Sequence, residues 1–164
     1  MIMMIKNIIK ISCLFLIIST LSCEQERLEP VLTTAEGGGT LTKFTAYSIE
    51  SVDADTDING RVVFWEDTAG QTLVQVSVYN TTAGEMYPAS IMMGDIGMET
   101  TSIVDLYDVS GDTGELSDTK FYAITDTSFY DSVPTMDSHI NILSGSTIVA
   151  TGGLGINAEP VESN

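Results

Sequence analysis

The sequence predicts an all-β domain, a sandwich or barrel of about eight short strands. Three observations predict it: one segment alternates strictly between apolar and polar residues, β-branched and aromatic runs recur every 8 to 15 residues, and turn-forming residues separate the runs. Hydrophobic residues make up 43% of the 164-residue chain and charged residues 18%, which is enough apolar material for a packed core. The length allows one domain with a small appendage.

The clearest strand is the segment 71–79, which alternates with a period of two as half-buried strands do. Val74, Val76 and Val78 fall on one face, which we expect to be the buried one. Leu73 falls on the opposite face, among polar side chains, and breaks the pattern. The segment is therefore expected to pair with its neighbours while only one face enters the core.

Further strands surround this one. The preceding run, 61–65 (RVVFW), is β-branched and aromatic, and the turn residues 67–70 (DTAG) join it to the alternating segment as a β-hairpin. Only the segment 128–136 is compatible with a short helix, and Pro134 limits its length. The other strand candidates are 43–50, 89–93, 102–107, 120–124, 139–143 and 147–150.

The N-terminus has the pattern of a secretory signal peptide over residues 1–22. Lys6 and Lys10 precede an apolar run, 11–21, and no acidic residue lies before Glu24. The run has 11 residues, whereas a helix needs roughly 20 apolar residues to span a membrane. We therefore expect export of the chain and not a transmembrane helix.

The signal ends in Thr20-Leu21-Ser22-Cys23, which resembles the lipobox of bacterial lipoproteins. The resemblance implies that the Cys23 thiol is diacylated, that the chain is cut before it and that the new amine is acylated. More than one acyl chain makes such an anchor durable. Thr20 departs from the leucine usual in that family, and the alternative is ordinary cleavage nearby that leaves Cys23 unmodified.

Two neighbouring features add to this prediction. The segment 24–26 (EQE) resembles the signal that sends some Gram-negative lipoproteins to the outer face of the cell, so we expect the outer membrane and surface exposure. Cys13 lies inside the signal peptide, so Cys23 is the only thiol of the mature chain. An exported domain without a cysteine pair is held together by its core and not by disulfides.

The rest of the chain divides into three parts. Residues 23–39 contain Pro30 and end in three glycines, as a flexible tether does. Residues 40–157 are the expected globular domain, and the polar tail 158–164, interrupted by Pro160, is expected to be frayed. With 23 acidic and 6 basic residues the formal net charge is −17, which argues against nucleic acid and anionic lipid headgroups as partners.

Five short segments of the domain carry a family resemblance. They are 58–66 (INGRVVFWE), 80–84 (NTTAG), 87–92 (YPASIM), 109–114 (VSGDTG) and 147–152 (TIVATG). In this order and spacing they resemble the CHRD (chordin-type) domain of bacterial surface lipoproteins, over roughly residues 47–157. The resemblance implies an antiparallel Greek-key β-sandwich, similar to superoxide dismutase or immunoglobulin domains, with no established enzymatic activity.

One departure from that family concerns its histidines. The family's central strand usually reads His-Pro-Ala-His-Ile-His, and this chain has Tyr87, Ser90 and Met92 at the three histidine positions. The single histidine, His139, lies in a late strand, next to the position of the family's late histidine. Because one imidazole cannot build a histidine metal centre, we predict no metal and no other cofactor, and expect His139 to be packed or hydrogen-bonded.

A second pattern suggests calcium. Asp55, Asp57, Asn59 and Glu66 fit the EF-hand calcium-loop pattern. A strand over 61–65 argues against such a loop, because the 7 residues from Asn59 to Glu66 would span about 23 Å when extended at ~3.3 Å each. Ligands of one calcium ion lie only about 5 Å apart. A calcium site therefore stands as the alternative to an acidic, solvated loop.

No catalytic residues are predicted. A serine triad would need His139 as its base, and the sequence has no Gly-x-Ser-x-Gly turn. The favoured function is that of a non-catalytic, membrane-anchored surface lipoprotein, a binding or structural module with an extracellular protein or glycan as partner. The alternatives are a calcium-dependent binding module that uses the 55–66 loop and a metalloenzyme-like sandwich that has lost its histidine ligands.

Overall fold

The structure is a computed structural model that describes residues 39–52, 57–98 and 101–161. The predicted signal peptide, Cys23, the predicted tether up to residue 38 and Asp55 lie outside the described residues. The elements in chain order are β1 (Leu41–Ser51), β2 (Asn59–Asp67), β3 (Thr72–Tyr79), β4 (Met86–Tyr87), β5 (Ala89–Met93), β6 (Ser102–Asp105), β7 (Val109–Ser110), β8 (Tyr122–Ile124), α1 (Phe129–Ser132), a 3₁₀ turn (Val133–Thr135), β9 (Asp137–Ser144) and β10 (Thr147–Gly155).

The strands form one antiparallel sheet of eight that curls into two layers. Its order is β6-β5-β9-β10-β1-β2-β3-β8, and β4 and β7 pair separately. β1 belongs to both layers, because it pairs with β2 over most of its length and with β10 only at Glu50 and Ser51. The last strand thus returns beside the first, as in Greek-key arrangements. The predicted all-β antiparallel sandwich is confirmed.

The curl leaves one side of the sandwich open. β6 and β8 are the two ends of the sheet order, so within the described residues each has a strand neighbour on one side only. The opposite side is closed by β1, which joins the layers. We call the open side, between β6 and β8, the seam.

The core lies between the layers, and β3 and β9 contribute every second residue to it. On β3, Val74, Val76 and Val78 are buried, as the period of two predicts. Across the core, Ile140 and Ile142 of β9 are fully buried. Burying one such side chain stabilises the fold by about 1.5–3 kcal/mol. This core is what holds together a domain whose described residues include no cysteine.

Leu73 is buried on the outer face of β3, which explains the break in the predicted pattern. It packs with Leu41 in a second, smaller cluster that Trp65 and Phe121 partly cover. The Trp65 ring also lies 5.0 Å from the Phe44 ring, centroid to centroid. The outer face of this layer is therefore partly apolar, a property that the alternation along one strand does not predict.

The observed strands differ from the predicted ones mainly at their ends. β10 runs to Gly155, well beyond the predicted end at residue 150, although glycine is a poor strand former. Glycine is required at Gly152 because a Cβ there would lie 2.1 Å from the carbonyl oxygen of Ser48 in β1. β4 and β7 have two residues each, too few for any periodicity to predict.

A short helical segment closes the end of the sandwich at which β1 begins. The helix predicted within 128–136 is present as α1 and the 3₁₀ turn. Tyr130 of α1 is buried, with its hydroxyl oxygen 3.2 Å from Thr45 Oγ1 and its ring centroid 4.9 Å from Lys43 Nζ. Among the residues that the structure describes, no helix has the length and apolar character that crossing a membrane requires.

The described part of the tail contacts the domain. The sequence predicts fraying from residue 158 onward, yet the N–H of Val161 donates to the carbonyl oxygen of Ala46 at 2.8 Å. Ala158 also packs against the main core. These contacts place the tail beside the edge of β1 that β2 leaves free, as far as residue 161.

Candidate functional site

Ile58, just before β2, and the ends of the loops that follow β3 and β9 lie around a cleft of about 250 Å³ at one end of the sandwich. We call it the loop-end cleft. It is lined by Ile58, Asn80, Thr82, Glu85, Tyr87, Ser144 and Val149. The apolar and aromatic members are buried, whereas the amide, the carboxylate and the Thr82 hydroxyl belong to exposed residues. The cleft therefore has an apolar floor and a rim that can donate and accept hydrogen bonds.

Two side-chain amides hold Asp57 beside the rim. Asn59 and Asn80 each donate from Nδ2 to the Asp57 carbonyl oxygen at 2.8 Å, and each Nδ2 lies 3.4 Å from one carboxylate oxygen. Asp57 and Asn80 have positive φ angles, 46° and 62°, which Asn and Asp adopt more readily than other side chains do. The start of β2 and the end of β3 are thereby tied to each other at the mouth of the cleft.

Tyr87 holds the loop 80–85 from the core side. Its hydroxyl accepts a hydrogen bond from the Thr82 N–H at 2.9 Å, and its side chain is almost completely buried. The Thr81 hydroxyl donates to the Gly111 carbonyl oxygen at 2.9 Å. A Cβ at Gly111 would lie 2.0 Å from the Thr82 carbonyl oxygen, so glycine is what permits this close approach. The loop is therefore fixed from two sides.

The structure separates the calcium candidates. Asp55 lies outside the described residues. Asp57 and Asn59 lie together beside the loop-end cleft, with the Asn59 amide nitrogen turned toward Asp57. Glu66 lies near the far end of β2, and the predicted strand over 61–65 is confirmed within it. At ~3.3 Å per residue, the strand holds Asn59 and Glu66 about 23 Å apart.

Glu66 has a different partner at its end of the strand. Its Oε2 lies 3.1 Å from Lys43 Nζ, and this hydrogen bond is the main reason that the pKa of Lys43 is raised above its ordinary value of 10.5. Lys43 Nζ also lies 3.6 Å from a carboxylate oxygen of Asp131. Glu66 thus pairs with a lysine near α1 and does not complete a loop around Asp57.

His139 is fully buried in β9, and both of its ring nitrogens have hydrogen-bond partners. Nδ1 lies 2.8 Å from the Gly94 carbonyl oxygen, which can only accept, so Nδ1 carries the proton. Nε2 then accepts from the Asn141 side-chain amide at 3.3 Å. The prediction that His139 is packed or hydrogen-bonded is confirmed, since it is buried and both ring nitrogens have partners.

The three positions at which CHRD domains have histidine do not converge on one point. Tyr87 faces the loop-end cleft, whereas Ser90 and Met92 lie on the partly exposed, outer face of β5. The Ser90 hydroxyl lies 3.4 Å from the Met92 sulfur, and Met92 is paired in register with His139 of β9. Within residues 39–52, 57–98 and 101–161, no three His, Cys, Asp or Glu side chains are grouped so that they could hold a metal ion.

Comparisons with protein-family models, with curated proteins and with solved structures found no match to this chain. The resemblances to the CHRD domain and to the lipobox therefore stay predictions from the sequence. What the fold and the site define is a class: a two-layer antiparallel sandwich with a polar-rimmed cleft between its loops.

Sequence reasoning missed most of the cleft lining. Asn80 and Thr82 lie in a segment noted for its family resemblance and turn composition, and Ser144 lies at the end of a strand. The available signal is the run 80–84 (NTTAG), which combines an asparagine that tolerates positive φ with two hydroxyl side chains. That composition indicates a loop, but it does not reveal which other loops the fold brings beside it.

Proposed function

We propose that this chain is a non-catalytic, lipid-anchored surface protein of the outer membrane of a Gram-negative bacterium, whose β-sandwich binds a ligand in the loop-end cleft. The observation that carries the proposal is that the cleft is already formed, because Asn80 is bonded to Asp57 and Tyr87 to Thr82. A site whose loops are ordered beforehand loses less conformational entropy on binding. The anchor rests on the lipobox resemblance around Cys23.

The chemistry of the lining favours an uncharged, hydroxyl-rich ligand such as a glycan. The hydroxyls of Thr82 and Ser144 can donate and accept hydrogen bonds, as the hydroxyls of a sugar ring do. The Asn80 amide nitrogen is bonded to Asp57, and its oxygen adds an acceptor. Glu85 adds an acceptor for charge-assisted hydrogen bonds, and the lining residues include no basic side chain. A chain of net charge −17 disfavours an anionic ligand at the same place.

The burial and hydrogen bonding of His139, the single histidine of the sequence, support a non-catalytic function. His139 would have to act as base in a serine-type mechanism, but it is buried and both ring nitrogens are bonded within the protein. The calcium-dependent alternative is weakened by the pairing of Glu66 with Lys43, far along β2 from Asp57.

A glycan array probed with the full-length protein in detergent tests ligand binding at the cleft. We expect binding to neutral glycans, and Glu85→Ala should weaken it about tenfold because one charge-assisted hydrogen bond is lost. Ser146→Ala is the matched control, since Ser146 is an exposed turn residue that does not line the cleft. Binding to anionic glycans alone, no binding to any glycan, or equal binding by Glu85→Ala and the unaltered protein would overturn the proposal.

A further inference from the structure

The seam between β6 and β8 is an open groove of about 460 Å³. One wall is formed by Ile103, Val104 and Asp105, and the other runs from Tyr122 to Asp126. None of these residues lines the loop-end cleft, so the two sites are separate. The groove lies on the open side of the sandwich, away from the join that β1 makes between the layers.

The walls of the seam are sheet edges, and main-chain groups of β6 point into it. The Leu106 N–H donates to the Ala89 carbonyl oxygen at 3.0 Å, so these two residues form a hydrogen-bonded pair. The next pair along the ladder, Asp105 with Ser90, is then a non-hydrogen-bonded pair. Asp105 therefore turns its N–H and C=O away from β5 and toward the seam. Such groups are a template for another strand.

The floor of the seam is apolar and incompletely covered. Val104, Tyr122 and Ile124 pack against the main core, and each stays partly exposed. The Tyr122 ring lies 5.0 Å from the Tyr107 ring, centroid to centroid, which fixes its position. An extended chain in the groove would cover these side chains and also supply hydrogen-bond partners to the edges, as added strands do in other β domains.

The rim of the seam is acidic. Asp105 and Asp126 are exposed at its two walls, and the lining residues include no basic side chain. Hydrogen bonds from the Ser128 N–H and hydroxyl lower the pKa of the Asp126 carboxyl below its ordinary 3.8, so it is ionised at neutral pH. A second copy of this chain, with a net charge of −17, would meet repulsion here. The negative charge of the rim therefore favours a cationic partner.

We propose that the seam binds an extended, basic peptide segment of a partner protein as an added β-strand between β6 and β8. β6 has four residues, so at ~3.3 Å per residue the bound stretch would be about 13 Å long. Small apolar side chains of that stretch would face the floor, and lysines or arginines would alternate with them toward Asp105 and Asp126. The inference goes beyond the function proposed for the loop-end cleft and does not depend on it.

A labelled hexapeptide of alternating lysine and valine, acetylated and amidated, tests the proposal by fluorescence anisotropy against the full-length protein in detergent. We expect binding that weakens as salt increases. Asp105→Lys should weaken it at least tenfold and should instead favour the matching glutamate–valine peptide. Asp105→Asn, which keeps an acceptor for the Ser102 hydroxyl, should give a smaller loss if the lysine variant fails to fold. Glu50→Lys, on the exposed surface of β1, is the matched control and should bind normally.

Main-chain pairing is tested with the same peptide N-methylated at its valines, which removes the donors along one edge. We expect this peptide not to bind, and we expect the unmodified one to slow hydrogen exchange of the β6 and β8 amides. Three outcomes would overturn the proposal: equal binding of the N-methylated peptide, equal loss in Glu50→Lys, or self-association of the protein without peptide binding. Loss of glycan binding alone would contradict ligand binding in the loop-end cleft and would not contradict peptide binding at the seam.

Discussion

The side-chain amide of Asn80 donates to the main-chain carbonyl oxygen of Asp57 at 2.8 Å, although the two residues are 23 positions apart. The bond ties the end of β3 to the start of β2 beside the loop-end cleft. Both residues adopt positive φ angles, a conformation that costs free energy for residues other than glycine. The shape of the cleft therefore depends on a contact between two strained loop residues.

This contact predicts different costs for two substitutions of Asn80. Asn80→Ala removes a hydrogen bond, about 1 kcal/mol, and places a less tolerant residue at a positive φ, about 1 kcal/mol more. Asn80→Gly removes the same bond but relieves the backbone, so it should cost only about half as much. Urea unfolding of both variants measures the difference. Equal destabilisation would show that the backbone of Asn80 is not strained.

His139→Leu should destabilise the domain by about 3 kcal/mol, because the Gly94 carbonyl oxygen and the Asn141 amide would both lose a buried partner. Met92→Leu, beside His139 in the ladder, is the control and should cost less than about 1.5 kcal/mol, since volume and polarity are nearly kept. Urea unfolding compares the two. If His139→Leu leaves the free energy of unfolding unchanged, the imidazole is not part of a hydrogen-bonded network that stabilises the fold.

Stability should fall at alkaline pH, in part through Tyr47. Burial raises the pKa of its hydroxyl above the ordinary 10.0, with the Gly155 backbone opposing the shift. The folded protein then holds this proton more tightly than the unfolded chain does, so the contribution is complete below about pH 10 and is lost as the pH rises further. Lys43, whose pKa is also raised, acts in the same direction.

Urea unfolding at about pH 9 and about pH 11 measures this loss. Tyr47→Phe should reduce the difference between the two free energies of unfolding, because the variant has no phenol to ionise at this position. The same pH dependence in the variant and the unaltered protein would contradict the assignment to Tyr47.

Millimolar calcium should leave the melting temperature unchanged. Asn59 and Glu66 are held about 23 Å apart by the extended strand β2, so Glu66 cannot complete an EF-hand loop with Asp57. Differential scanning calorimetry with calcium and with a chelator checks this. A calcium-dependent rise in melting temperature that Asp55→Ala abolishes would restore the calcium-dependent module as the better interpretation.

Local features of the fold were predictable because their causes are local. The alternation along β3 predicts which valines are buried. The turn 67–70 is stabilised by its own residues, because the Asp67 carboxylate accepts hydrogen bonds from the N–H groups of Ala69 and Gln71 at 2.9 and 2.8 Å. Leu73 could not be placed from its own strand, because Leu41 and Phe121, which bury it, lie far away in sequence.

The sites depend on long-range pairing and were correspondingly hard to predict. In the sequence, Gly152 argues against a strand, because glycine is a poor strand former. A glycine is needed at this position because Ser48 approaches closely, which becomes visible only when β1 and β10 are paired. The loop-end cleft likewise exists because strands that are distant in the chain end side by side. The seam exists because β6 and β8, the two ends of the sheet, do not pair with each other. The sequence indicates that His139 is packed, but the Gly94 carbonyl that holds it lies 45 positions away.

Metabolic labelling with palmitate, followed by fractionation of the cells, tests the anchored location that the proposed function requires. We expect label in the unaltered protein and in Cys13→Ala, since Cys13 lies in the predicted signal peptide. In Cys23→Ala we expect the label to be lost and the domain to be released from the membrane. Protease added to intact cells should degrade the anchored form. A Cys23→Ala protein that is still labelled and still sediments with the membrane would refute the assignment of this chain as a lipoprotein.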